Sequence, residues 1–202
     1  MNLDERVQDH FDTLFGDEAD PWRTRTRWYE ARKRALTLAI LPDARYASAC
    51  EPGCGSGELS AALATRCDAL LSTDASDAAV QRARERLAGI ANVRVERARM
   101  PGDWPAGPFD LVVVSELGYY LAMDELRQLA SAIGRSLAPA ATLVACHWRR
   151  GADDMRSSLH AVHPLLGAVC GGDAIARYED EDFLLEAWSR DSRSVARREG
   201  LA

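Results

Sequence analysis

The feature that most constrains this chain is a glycine-rich turn lodged between an apolar strand and a helix. Glu51-Pro52-Gly53-Cys54-Gly55-Ser56-Gly57 closes an expected strand, Tyr46–Glu51, and opens an expected helix, Glu58–Arg66. The alternation then continues. Ala69–Asp74 reads as a strand, Asp77–Leu87 as a helix closed by Gly89, Val93–Arg97 and Phe109–Ser115 as strands, Asp124–Leu137 as a helix and Ala141–His147 as a further strand. Strands alternating with helices define an α/β, doubly wound, mostly parallel sheet with helices on both faces. The near-continuous apolar run Leu111-Val112-Val113-Val114 fits a strand buried on both sides. In such sheets ligands bind beyond the carboxyl ends of the strands, where this turn must lie.

The flanks are less regular. Val7, Phe11, Leu14 and Phe15 recur at helical spacing, Asp20-Pro21-Trp22 interrupts them, and a second helix is expected from Thr24 to Leu41, stopped by Pro42. After His147 a helix is expected over Ser157–Cys170, followed by two antiparallel strands, Phe183–Ser189 and Ser192–Arg198. A length of 202 residues favours one domain over 1–202, with 1–42 a helical lid and 43–202 the binding core.

Charge and cysteine content remove several classes. A net charge of −6 disfavours a nucleic-acid partner, because neutralising phosphates needs a surplus of Lys and Arg. The five cysteines, Cys50, Cys54, Cys67, Cys146 and Cys170, are odd in number and contain no CxxC pair, so they are expected to be reduced and mostly buried, with no metal site. The opening MNLDERVQDH has no apolar signal core and no apolar run is long enough to span a bilayer, so no membrane partner and a cytoplasmic location are expected.

Candidate binding residues gather at the strand ends. Gly53, Cys54, Gly55 and Gly57 form the turn, in G-x-G-x-G spacing rather than the G-x-G-x-x-G of dinucleotide folds, with Glu51 two residues ahead of the first glycine. Asp74, ending the second strand ahead of Ala75, can accept hydrogen bonds from both hydroxyls of a ribose, or cap the next helix, a role Ser76 or Asp77 can fill instead. After the third strand, Arg99 and Met100 lie where an adenine ring would sit, or else in a solvent loop. Ser115, Glu116, Tyr119 and Tyr120 follow LVVV. His147 ends the fifth strand, as a candidate acid–base group or a structural histidine. The stretch Asp20–Arg34 mixes Trp22, Trp28 and Tyr29 with many cations, and reads as a nucleic-acid patch, a solvated helix face or a lid; the acidic balance favours lid and solvated face.

The E-x-G-x-G-x-G turn resembles the first motif of class I, Rossmann-like methyltransferases. FGDEADPW, RWYEARKRALTLAILP, CEPGCGSGELS, LLSTDAS, FDLVVVSELGYYL and HWR together resemble the nodulation protein S family, from about Phe11 to Arg150. The resemblance implies an S-adenosyl-L-methionine cofactor, leaving as S-adenosyl-L-homocysteine, and N-methylation of a de-N-acetylated chitooligosaccharide or a similar amine. It implies cofactor contacts by Glu51, Gly53, Gly55 and Asp74, with Trp22 and Tyr29 as further candidates, and an acceptor site near Glu116, Tyr119, Tyr120, His147 and Trp148. An acid common after the third strand of methyltransferases is missing here. The rival readings are a small-molecule O-methyltransferase and a non-catalytic cofactor-binding protein. Oligomeric state is left open.

Overall fold

A computed structural model describes residues 20–151 and 155–201. The helix expected around Val7 to Phe15 lies outside the described residues. Helix α1 (Trp28–Ala39) precedes strand β1 (Tyr46–Pro52), helix α2 (Glu58–Leu63), β2 (Cys67–Asp74), α3 (Asp77–Arg86), β3 (Val93–Arg97) and β4 (Phe109–Ser115). Then come a 3-10 turn (Gly118–Tyr120), α4 (Met123–Ser136), β5 (Leu137–Trp148), α5 (Leu159–Ala168), β6 (Ala176–Glu179), β7 (Phe183–Ser189) and a short α6 (Val195–Arg198).

The strands form one sheet in the order β3-β2-β1-β4-β5-β7-β6. β1 to β5 pair in parallel, while β7 runs antiparallel to β5 and β6. The winding reverses between β1 and β4, and a crevice forms at such a switch point. β4 explains the unbroken apolar run. Leu111 and Val113 pack with Leu63, Leu70 and Val144 on one face, and Val112 and Val114 with Leu126, Ile133 and Val162 on the other. Side chains alternate as in any strand, but helices cover both faces, so every position is apolar. α4 and α5 supply the cover on one side, α1 and α2 on the other. All five cysteines are free, and four are buried.

Two segments depart from expectation. The helix expected from Thr24 starts only at Trp28, because Asp20 organises the preceding turn: its carboxylate accepts the N–H and hydroxyl of Thr24 (2.7 Å each) and the N–H of Arg25 (2.9 Å). A side chain that satisfies nearby backbone N–H groups in this way competes with helix. The strand expected over Ser192–Arg198 is instead α6, where the Ser194 hydroxyl accepts the Arg197 N–H (3.3 Å) and the Arg198 guanidinium bonds Asp43 (2.7 Å). The hairpin partner of β7 is β6, which precedes it. Asp180 closes that hairpin by accepting the N–H groups of Asp182 (2.9 Å) and Phe183 (3.0 Å).

Gly57 stands at the junction of the glycine turn and α2, with φ +82°, and a Cβ there would lie 3.2 Å from Ala83 Cα on α3. Both the backbone sign and the close approach require glycine. Gly57→Ala is expected to destabilise the fold by about 1–2 kcal/mol. Urea denaturation checks this, and an unchanged midpoint would contradict the packing described.

Candidate active site

A cavity of about 580 Å³ opens beyond the carboxyl ends of β1, β2 and β4, with α1 as one wall. That volume is in the range of sites for drug-sized ligands, roughly 300–1,000 Å³. Trp22, Tyr29, Glu51, Gly53, Cys54, Gly55, Asp74, Ala75, Arg99, Met100, Ser115, Glu116, Tyr119 and Tyr120 all line it. Gly57 and His147 do not: Gly57 packs under α3, and His147 is fully buried behind the cavity wall.

At one end lies the glycine turn. The Cys54 N–H donates to the Thr73 carbonyl (2.9 Å), tying the turn to β2. Asp74 accepts the Gly55 N–H on Oδ2 (2.9 Å) and the Ser76 N–H on Oδ1 (3.0 Å). The cap of α3 is Ser76, whose hydroxyl accepts the Ala79 N–H (3.3 Å). Asp74 thus braces the turn while its carboxylate faces the cavity.

Glu51 is 2% exposed and accepts hydrogen bonds from the Ser60 and Ser72 hydroxyls. Burial pushes its carboxyl up to about 7; the two hydroxyls pull it down, and Asp74 nearby pushes it up further. Among the described residues no cation pairs with it. A carboxyl whose folded value is raised above its ordinary one holds its proton more tightly in the folded chain. Its contribution to stability is therefore fully present below about pH 4.5 and is lost as pH rises through about 7. Glu51→Gln is expected to remove this loss, so that the variant gains on wild type between about pH 5 and about pH 8 in urea midpoint. Parallel midpoints for the two proteins would count against it.

At the other end the chain builds a carboxylate cluster. Glu116 has φ +53°, a left-handed conformation that costs a residue with a side chain on the order of 1 kcal/mol. The surroundings hold it there. Lys33 Nζ donates to Oε1 (3.0 Å), the Trp148 N–H to Oε2 (3.0 Å), the Tyr119 hydroxyl also to Oε2, and the Glu116 N–H donates to the Cys146 carbonyl (2.9 Å). Lys33 also pairs with Glu30 (3.2 Å) and sits 5.1 Å from the Tyr29 ring centroid. Burial pulls the Lys33 ammonium down, but Glu116 and Glu30 outweigh it and hold the group above its ordinary value. Burial, with the Glu116 charge beside it, keeps the Tyr119 hydroxyl protonated well above the usual tyrosine range.

Tyr29 packs edge-on against Trp148, with ring centroids 5.6 Å apart, and its buried hydroxyl has no partner among the described residues. A buried hydroxyl without a partner at a cavity wall is a waiting hydrogen bond for a ligand. With the uncompensated Glu51 and the glycine turn, this is chemistry that suits a nucleoside carrying an ammonium group.

Sequence reasoning missed Glu30, Lys33, Glu125 and Arg156, all of which line the cavity. Two of them were findable: Tyr29, Lys33 and Thr37 are spaced by four on α1, which places them on one face, and Glu30 stands three residues before Lys33. The Arg156–Glu125 pair (3.1 Å) joins segments far apart in sequence and left no local signal.

The methyltransferase-domain family matches residues 49–140. A Pseudomonas syringae protein of known structure, classed as a methyltransferase, is 48% identical, with 81% of this chain and 99% of that chain covered and a TM-score of 0.72. Nodulation protein S of Rhizobium tropici is 32% identical over 127 residues, which is 62% of this chain and 53% of that protein. Nodulation protein S of Bradyrhizobium diazoefficiens is also 32% identical, with 61% of its length covered, so the chain spans between half and two thirds of these curated relatives. N-methyltransferase NodS from Bradyrhizobium japonicum WM9, in complex with S-adenosyl-L-homocysteine, shares the fold at a TM-score of 0.78 and 24% identity, over 90% of this chain and 97% of that one.

Fold, glycine turn and relatives define the class: the chain belongs to the class I S-adenosylmethionine-dependent methyltransferase family. Within that class it is similar, over 127 residues, to nodulation protein S.

Proposed function

We propose that this chain methylates an amine nitrogen of a small molecule or amino sugar, of the chitooligosaccharide-like kind, with S-adenosyl-L-methionine as donor. The single observation that carries the reading is Glu116, held in a left-handed conformation on the cavity wall after β4, with β1 between it and Asp74 on β2. A carboxylate offers about four acceptor positions. Three donors occupy Glu116 among the described residues, which leaves room for one N–H of an incoming amine.

The cofactor supplies a methyl group already activated as a sulfonium, so the protein's work is placement. Asp74 would accept the ribose hydroxyls, and Glu51 would face the ammonium of the methionine part. Arg27, on the cavity wall, would face its carboxylate, and Tyr29 would donate its hydroxyl, which has no partner among the described residues. Helix α1 would then act as the lid. The acceptor nitrogen must arrive neutral, because an ammonium has no lone pair. Glu116 would take one of its N–H bonds and so turn the lone pair inward, with Tyr119, Tyr120 and Trp148 walling the site. Lys33 and Glu30 would hold Glu116 in place.

The test is S-adenosyl-L-homocysteine formation across a panel of amino sugars, small amines and their hydroxyl counterparts, with mass spectrometry locating the new methyl group. Methylated nitrogen is the expected product. Methylation confined to oxygen would replace this reading with an O-methyltransferase, and tight cofactor binding without turnover would replace it with a sensing role.

A further inference from the structure

His147 does not reach the cavity, yet it is the inner member of a buried polar row. Its Nε2 accepts the Gly118 N–H (3.0 Å), and its Nδ1 lies 3.1 Å from His163 Nε2. His163 Nδ1 lies 2.7 Å from Glu186 Oε2, and Glu186 Oε1 accepts from the Arg177 guanidinium (2.9 Å), which is half exposed at the sheet edge. His147, His163 and Glu186 are all buried.

The row has one proton arrangement. A backbone N–H only donates, so His147 Nε2 must present a lone pair to Gly118. A neutral imidazole has one N–H, which then sits on Nδ1 and donates to His163 Nε2. By the same logic the His163 proton sits on Nδ1 and donates to Glu186, which pairs with Arg177. The tautomers are therefore fixed from both ends of the row, by the Gly118 N–H inside and the Glu186 carboxylate outside.

We infer that His163 is a positioning residue for the acceptor site: through His147 it locks the Gly118–Tyr120 turn, and with it the Tyr119 hydroxyl on Glu116. The turn fits tightly here. A Cβ at position 118 would lie 2.5 Å from Val162 and 3.1 Å from His147 Nε2, and Tyr119 packs edge-on to the His147 ring at 5.3 Å. The next residue after His147 is Trp148, whose N–H holds Glu116 directly. One strand end thus secures both the turn and the carboxylate.

An extra proton breaks the row. An imidazolium has two donors, so a second N–H must point at a donor somewhere along it, and the weakest contact to yield is the one to Gly118. The charged groups facing the row are Glu186, Arg177, Glu116 and Lys33. Burial holds both rings below their ordinary value; Glu186 and Glu116 pull His163 back up, and Arg177 pushes it down. Removing Arg177 should therefore raise His163 and move the acid limb of turnover to higher pH.

The activity readouts rest on the methyl-transfer reading; the spectroscopic one does not. With an amine acceptor, His163→Phe is expected to lower kcat by roughly tenfold or more while cofactor Kd stays within about twofold, the size and split expected for a supporting hydrogen-bond partner. Arg177→Gln, a change at an exposed side chain, should shift the acid limb of the kcat profile upward. Nitrogen-15 NMR of the wild-type imidazoles near neutral pH should show both His147 and His163 protonated on Nδ1. A His163→Phe kcat within about twofold of wild type, an unmoved acid limb in Arg177→Gln, or an Nε2 proton on either ring would overturn the inference. Should His163→Phe fail to fold, the Arg177→Gln profile and the wild-type spectrum decide it. Nδ1 protons on both rings in a protein that methylates nothing would leave the row standing and reject the methyl-transfer reading.

Discussion

Asp74→Ala is expected to weaken S-adenosylmethionine binding by roughly 100- to 1,000-fold. A hydrogen bond to a charged group contributes about 1.5–3 kcal/mol, and a ribose offers two hydroxyls to this carboxylate, so a loss of about 3–4 kcal/mol is in proportion. The variant also releases the Gly55 and Ser76 N–H groups that Asp74 holds at 2.9 and 3.0 Å, which loosens the glycine turn. Asp74→Asn keeps one acceptor oxygen and should fall between the two. Calorimetric titration of all three proteins with S-adenosylmethionine, and separately with NAD, reads the effect. Wild type should bind the sulfonium cofactor alone. Equal affinity in wild type and Asp74→Ala would remove the ribose contact from the account, and NAD binding would overturn the reading of the glycine spacing.

Glu116→Gln is expected to lower turnover by roughly 100-fold, within the range lost when a positioned acid–base group is removed. Cofactor affinity should change little, because Glu116 follows β4 while Asp74 ends β2, with β1 between them. Glutamine keeps the shape but presents an NH2 where the carboxylate has an acceptor oxygen, so one of Lys33, Tyr119 and Trp148 would meet a donor. The left-handed backbone at this position then loses part of what holds it. The kcat ratio and the cofactor Kd, measured side by side, check the split. A variant with unchanged kcat would rule out Glu116 as the acceptor-orienting group, and an equal loss in both constants would make its role structural.

Much of the cofactor end was legible because it is local. The turn from Glu51 to Gly57 and Asp74 at the end of β2 are short segments whose residue types already state a backbone conformation and an acceptor. The acceptor end was only half legible. Glu116 and Tyr119 stand three residues apart and could be named together, but Lys33, which meets Glu116 at 3.0 Å, comes from α1 and is distant in sequence. His147 was singled out for its place at a strand end. Its side chain turns away from the cavity, and its partners Gly118 and His163 come from a turn and a helix whose approach no spacing rule contains.

The chain ends show the same limit. A run such as Ser192–Arg198 fits strand or helix by itself; the Ser194 cap and the Arg198–Asp43 pair decide for helix. The sequence alone determined the doubly wound sheet, the glycine turn, the acid at the end of β2 and the methyltransferase class, because periodicity, turn chemistry and strand-end position are properties of neighbouring residues. Only the tertiary structure decided which ionisable groups share the cavity, that Glu51 is buried with no cation beside it among the described residues, and that His147 lies behind the cavity wall. Those depend on burial and on distances between segments far apart in the chain, and burial changes the energy of a charge far more than its identity does.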